Sequence, residues 1–365
     1  MGKDIYSSSS KSRRQQAQPP RRKKKKKNKA PVVISVMLIV VSVLAIAVVG
    51  LWNSRFFVNE TDGSAAGLDD AIGNENDKVI NFLVVGIDSD QGRESNQLTD
   101  TILVASFDIP ENRVSVLQIP RDTYIGTDLT STGKINALYA SGPSEYKGID
   151  GLAQYVYDNF RIPIDHYATI TMEGFRNAID GIGGVTVDVP KAIDLDGVIL
   201  EPGVQTLDGN QAEKFVRQRK GEGYSRGDID RLEMQRVFMA SFVKQFLGTS
   251  KAKIASMLPG LSSQMTTDMS VGEMVSIASK ASKLSSENVN FFMVPGESTS
   301  VNTKAYGNQS VYSIHKDLLT DMINEHFRTG TTQITSDQIG VPEIKNSTDI
   351  YDDVGGNVDD IIGSE

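Results

Sequence analysis

"VINFLVVGID", Val79 to Asp88, is an almost unbroken apolar run that ends on glycine, isoleucine and an acid. A half-buried strand alternates apolar with polar residues. A short continuous run closed by a turn residue suits a strand covered on both faces. Two more such segments follow, "DTILVASFD" (100–108) and "RVSVLQIP" (113–120), with a tight connection at "IPENR" between them.

Working outward, "INALYASG" and "GIDGLAQYVYDNF" read as helices. "HYATITM" (166–172) and "VTVDVP" (185–190) read as strands on either side of "EGFRNAIDGIGG", and "NVNFFMV" (288–294) as a late strand. Apolar spacing predicts helices over 208–218, 228–247, 271–284 and 311–327. "GIGG" (181–184) lacks the lysine and glycine spacing of a phosphate loop and precedes a strand, so it reads as a helix-to-strand turn. Strands mixed with helices predict an α/β fold of the α+β sandwich kind. A central mixed β-sheet flanked by helices would occupy one domain, residues 78–330.

The chain has 365 residues, 39% of them hydrophobic, and no cysteine. A disulfide scaffold, a thiolate zinc site and a thiol nucleophile are therefore excluded. The histidines, His166, His315 and His326, show no metal-ligand spacing. No nucleophile elbow supports a serine triad.

Charge is unevenly placed. Residues 1–30 hold 12 Lys/Arg against Asp4, a head of +11 in a chain of net charge −8, which leaves −19 for the rest. Such a head can be a nucleic-acid arm. Its neighbour argues otherwise: from Ala30 to Ser54 there is no charge. About 20 apolar residues at ~1.5 Å each match a ~30 Å hydrocarbon core. The expected order is a basic cytoplasmic tail (1–30), a transmembrane anchor (31–53) and a polar extracellular tether (54–77), with the basic flank inside. A cleaved signal peptide would have a shorter head, a shorter apolar core and a small-residue cleavage site. Residues 331–365 carry eight acids against Lys345 and show no period, which predicts an acidic disordered tail.

Four stretches carry groups capable of chemistry. Asp88 ends the first strand and Asp100 opens the second. If those strands are neighbours, both carboxylates lie at one sheet edge, where a divalent cation with oxygen ligands relieves their repulsion. Ordinary turn chemistry is the alternative. In "IPRDTYIG" (119–126), Arg121 leaves a strand directly after Pro120 and either stands free at that edge or pairs with Asp122. In "GKINALY" (133–139), Lys134 and Asn136 precede a helix, a setting that suits an anion. In "RQRKGEGYSRGDIDRLEMQ" (217–235), Arg217 and Arg219 share a side if extended. On a helix, Arg231 and Gln235 share a face, and Met234 with Phe238 turn to the core. Guanidinium forks grip phosphate oxygens in pairs. Nearby Glu222, Asp228, Asp230 and Glu233 leave self-pairing open as the other reading.

Taken together, "NFLVVGID", "TDTILV", "IPRDTYI", "KINALY", "GIGGVTVDVP", "LDGNQAEKFVRQR" and "DIDRLEMQ" resemble, in order, the LytR–CpsA–Psr family of bacterial envelope proteins. The resemblance covers about residues 81–236, with "NVNFFMVPG" a looser match, and the basic head and single anchor are in keeping with it. It implies a transferase at the outer face of the cell membrane of a Gram-positive type envelope. Such an enzyme moves an anionic or capsular glycopolymer from an undecaprenyl-pyrophosphate carrier to a peptidoglycan sugar hydroxyl. A phosphodiester forms and lipid phosphate is released. The implied cofactor is Mg²⁺ (or Mn²⁺), on Asp88 and Asp100, with Arg121 also in the catalytic group. The implied pyrophosphate ligands are Arg121, Lys134, Arg217, Arg219, Arg231 and Gln235.

The implied partners are the polyprenyl-pyrophosphate-linked glycopolymer, peptidoglycan and membrane lipid, with no nucleic acid. The sequence departs from the family pattern at Leu98 and Met234, where arginine is common, and Arg93 is a candidate replacement for the first. A scaffold or regulatory protein binding lipid-linked polymer, and a lipid-pyrophosphate hydrolase, are the alternatives.

Overall fold

A computed structural model describes residues 79–87, 98–189, 192–195, 198–218, 228–250, 264–270, 283–344 and 355–362, with isolated positions between 253 and 281. The anchor and tether fall outside these residues. Among the described residues no helix is long and apolar enough to cross a membrane.

Along the chain, β1 (Val79–Ile87), β2 (Thr99–Asp108) and β3 (Arg113–Ile119) come first. Helices α1 (Leu138–Ser141) and α2 (Gly148–Phe160) lead to β4 (His166–Ile170). Then come α3 (Met172–Ile182), β5 (Val185–Val189), β6 (Ile193–Leu195), β7 (Val198–Leu200) and β8 (Gly203–Leu207). Helices α4 (Gly209–Arg217) and α5 (Asp228–Leu247) precede β9 (Met265–Thr267) and β10 (Val289–Met293). Last are β11 (Gly296–Thr303), β12 (Gly307–Ile314), α6 (Lys316–His326), β13 (Gly356–Asn357) and α7 (Val358–Ile362).

Among the described residues seven strands form one sheet in the order β13-β10-β3-β2-β1-β4-β9. The sheet is mixed: β1 and β2, and β2 and β3, pair antiparallel, while β4 joins β1 and β10 joins β3 in parallel. The unbroken run in β1 is explained by burial on both faces. Phe82 and Val84 join one core with Phe175, Phe215, Phe238 and Phe242. Leu83 and Val85 join the other with Leu152, Phe160, Leu319 and Ile323. Helices α3, α4 and α5 cover the first face; α2 and α6 cover the second.

Local signals act where expected. Asp208 caps α4 in a capping box, its Oδ1 accepting from Gln211 N at 2.8 Å while Gln211 Oε1 takes Asp208 N. The "GIGG" turn ends α3 at Gly183 (φ 96°) and continues through Gly184 (φ 91°). A Cβ on Gly184 would meet Thr206 Cγ2 at 2.7 Å.

Two expectations need correction. The helix predicted over 311–327 begins too early: β12 runs to Ile314 and pairs with β11, and α6 occupies Lys316–His326. Val311, Ile314 and Leu318 happen to match helical spacing, while the turn at Gly307 (φ 66°) sets up a hairpin. The acidic tail is not structureless where it is described. Ile334, Ile339 and Val341 are buried in the second core and Val358 in the first. Strand β13 pairs with β10. A few well-placed apolar side chains anchor this segment despite its charge.

Candidate functional site

The strand directions bring the ends of β1, β3, β4 and β10 and the start of β2 to one edge of the sheet. At that edge the β1–β2 register slips: Gly86 faces Thr101, Ile87 faces Thr99, and Asp100 is the residue the pairing skips. A bulge of this kind re-aims a side chain and bends the strand. Asp88, Arg93 and Arg219 lie outside the described residues, as do the side chains of Asp100 and Arg231.

Arg121 leaves β3 through Pro120 and is 8% exposed. Thr123 closes the turn, its N and Oγ1 both donating to Pro120 O, at 2.9 and 2.6 Å. Asn136 N donates to Arg121 O at 3.1 Å, and Thr99 Oγ1 donates to Asn136 O at 3.3 Å. The starts of β2, the Arg121 turn and the 135–137 turn are thereby joined. Asp122 holds two cations: Lys134 Nζ lies 3.0 Å from its Oδ1, and Arg121 Nε lies 4.0 Å from the same oxygen. Local pairing with Asp122 is therefore what both residues do. Lys134 precedes a single 3₁₀ turn and makes no side-chain cap.

Behind this edge, Gln118 Nε2 donates to Gln235 Oε1 at 2.9 Å, and Gln235 Nε2 donates to Val216 O at 2.9 Å. Gln118 and Gln235 are 4% and 1% exposed. Gln235 thus stands behind the site surface as a strut between β3, α4 and α5. Those three elements carry or precede Arg121, Arg217 and Arg231. Gln118 escaped the sequence reading; its signal was one polar residue at a core-facing position of an apolar strand.

Arg217 is the last residue of α4, helical rather than extended, and its Nη1 bonds Glu213, four residues earlier. Arg176 Nη1 holds the other oxygen of Glu213. Self-pairing therefore engages Arg217, while its Nε has no hydrogen-bond partner among the described residues. At the two departure positions, Leu98 is 37% exposed just before β2, and Met234 packs against the first core.

Buried Arg121, with Asp122 and Lys134 beside it, lies at the same end of the sheet as the backbone bulge at Asp100, and a guanidinium placed there has the chemistry to take an anion. The LytR_cpsA_psr family profile matches residues 55–328. The chain belongs to this family. Among its relatives is the cell wall biosynthesis protein LcpA of Corynebacterium glutamicum, 31% identical over 306 residues, covering 72% of this chain and 58% of LcpA. Another is the polyisoprenyl-teichoic acid–peptidoglycan teichoic acid transferase TagU of Oceanobacillus iheyensis, 34% identical over 197 residues. That match covers 53% of this chain and 60% of TagU, so the chain spans about three fifths of the length of both relatives. The crystal structure of B. subtilis TagV superposes with a TM-score of 0.57 at 25% identity, over 69% of this chain and 98% of the crystallised chain. The likeness to TagV is one of fold, a mixed central sheet with flanking helices.

Proposed function

We propose that this protein is a glycopolymer transferase of the cell envelope. It moves an anionic or capsular glycopolymer from a polyprenyl-pyrophosphate carrier to a sugar hydroxyl of peptidoglycan. The observation that carries this reading is the grouping at one sheet edge of buried Arg121, Lys134 and the bulge at Asp100. Relatives named as teichoic acid transferases and as a cell wall biosynthesis protein support it. In the same reading residues 31–53 anchor the chain, with 1–30 inside the cell and the folded domain at the outer face.

The acceptor hydroxyl oxygen attacks the polymer-side phosphorus. The bond from that phosphorus to the bridging oxygen breaks, and lipid phosphate leaves. Asp100 takes the hydroxyl proton. Arg121, Arg217, Arg219 and Arg231 neutralise charge as it gathers on the leaving phosphate. Lys134 reaches the pyrophosphate by exchanging Asp122 for a phosphate oxygen. Gln118 and Gln235 keep these elements in register.

Among the described residues no three His, Asp or Glu side chains cluster to hold a metal. The donor types suit a hard cation: the carboxylates of Asp88 and Asp100 are hard oxygen ligands, and Thr101 Oγ1, next in sequence to Asp100, is buried without a hydrogen-bond partner among the described residues. Mg²⁺ or Mn²⁺, when held by Asp88 and Asp100, would supply further neutralisation of the pyrophosphate.

The test is one reaction. The full chain, lipid-pyrophosphate-linked glycan, Mg²⁺ and uncrosslinked peptidoglycan are combined, and mass spectrometry follows the phosphodiester and the released lipid phosphate. Both products are expected, with turnover lost in Asp100→Ala and in chelator. Undiminished transfer by Asp100→Ala removes the base assignment, and full activity in chelator removes the metal.

A further inference from the structure

Away from the sheet edge, a cleft of about 360 Å³ lies between α2 and the start of β4. Helix α2 contributes Asp150, Gln154 and Tyr157, spaced so that they share one face over about 10 Å of helix. The opposite wall is Asp165, His166 and Tyr167, and Asp268 closes it beyond β9.

The walls are fixed by the protein itself. Asp268 Oδ1 accepts from Tyr167 N at 2.9 Å, and its Oδ2 lies 3.4 Å from His166 Nδ1. Asp165 Oδ2 accepts from Asn81 N at 2.7 Å, and the His166 ring stacks on Phe82 with centroids 5.9 Å apart. Tyr157, by contrast, is 48% exposed and lines the cleft.

The chemistry of this lining is selective. Among the described residues it holds three carboxylates and two tyrosines, and no lysine or arginine. A phosphate-bearing polymer is repelled there. A sugar without charge is not: its hydroxyls donate to carboxylate oxygens and its C–H faces lie on tyrosine rings.

Position adds direction. His166 pairs with Phe82, five residues before the end of β1, which puts the cleft about 17 Å along the strand from the Asp100 edge. Such a span suits an extended polymer. Tyr139 of α1, five residues after Lys134, packs against the second core. Burial chiefly, and then Tyr167 and Asp150, push its phenol above the ordinary tyrosine value. Helix α1, which follows Lys134, packs against α2, the helix that carries Asp150.

We propose that this cleft binds the acceptor, an uncharged amino-sugar strand, and holds it so that one of its hydroxyls reaches the Asp100 edge. The proposal rests on the transferase reading, and it is tested in two ways that separate the two.

Kinetics come first. Tyr157→Ala and Asp150→Lys, both at exposed positions, are expected to raise the KM for uncrosslinked peptidoglycan tenfold or more, about 1.4 kcal/mol. The KM for the lipid-linked donor stays where it is. Tyr306→Ala, in an exposed turn between β11 and β12, changes neither. Equal changes in both KM values, or none, overturn the proposal.

Binding comes second and needs no turnover. Calorimetry with chitohexaose, a neutral amino-sugar oligomer, is expected to show binding to the full chain that Tyr157→Ala abolishes. If the chain binds spermine at this cleft and not chitohexaose, the site is one for cations and the proposal falls. If chitohexaose binds as described but no donor is ever turned over, the transferase reading fails while the glycan site stands.

Discussion

Gln118 and Gln235 meet inside the protein through a 2.9 Å hydrogen bond that joins the strand before Arg121 to the helix that carries Arg231. Gln235 also holds Val216 O, the residue before Arg217. One buried carboxamide therefore sets the relative position of three arginine-bearing elements. Gln235→Leu strands a buried donor and a buried carbonyl and is expected to cost about 1–3 kcal/mol. Replacing both, Gln118→Leu with Gln235→Leu, removes one stranded group and is expected to cost less than the two single changes added together. Urea unfolding of the three variants measures this.

Arg121 is expected to matter more to turnover than Lys134. It is buried at the edge with its Nε only 4.0 Å from Asp122, whereas Lys134 is bound to Asp122 at 3.0 Å and has to exchange partners to reach a phosphate. Arg121→Ala is expected to lower kcat/KM for the lipid-linked donor by about 10²–10³, and Lys134→Ala by about tenfold. Arg121→Lys should recover little, because an ammonium cannot hold two phosphate oxygens in one plane. An Arg121→Lys enzyme of near-normal rate would show that only charge is needed.

The C-terminal segment belongs to the folded unit. Ile339 is 1% exposed in the second core, and Ile339→Ala is expected to cost about 2–5 kcal/mol. Truncation after residue 330 removes Ile334, Ile339, Val341 and Val358 together, and it should lower the thermal midpoint far more than Tyr306→Ala. A truncated chain that melts with the intact one would refute this.

His326 links stability to acidity. Its ring stacks on Phe292 with centroids 4.3 Å apart, and burial holds its pKa below 6.5, opposed by Glu325 and reinforced by Arg113. The folded state binds its proton less readily than the unfolded chain does. Its contribution to stability is thus whole above 6.5 and is lost as pH falls through 6.5 towards the lower folded value. His326→Phe is expected to flatten the fall in thermal midpoint between about pH 7 and 5. Parallel slopes for the two proteins would assign that fall to other groups.

Reading the residues in order located the strands of the sheet centre, the helices at 209–217 and 228–247 and the glycine turn after α3. Each is decided by local forces: an apolar run, a capping box, a positive φ. It also picked out Arg121 and Lys134, because charged groups at the ends of apolar segments have few places to go. What it left open was pairing. The pairs Arg121–Asp122 and Arg217–Glu213 are near in the chain and Lys134–Asp122 spans 12 residues, whereas Gln235, which the resemblance implies as a pyrophosphate ligand, reaches a distant strand at Gln118. Gln118 and Gln235 are separated by 117 residues, and nothing near either one announces the other. The skipped residue at Asp100 arises from the register of β1 on β2 and is likewise invisible in either strand alone. Local propensity and apolar pattern decide which elements form. The contacts that decide which charges remain available to a ligand exist only once the sheet has closed around them.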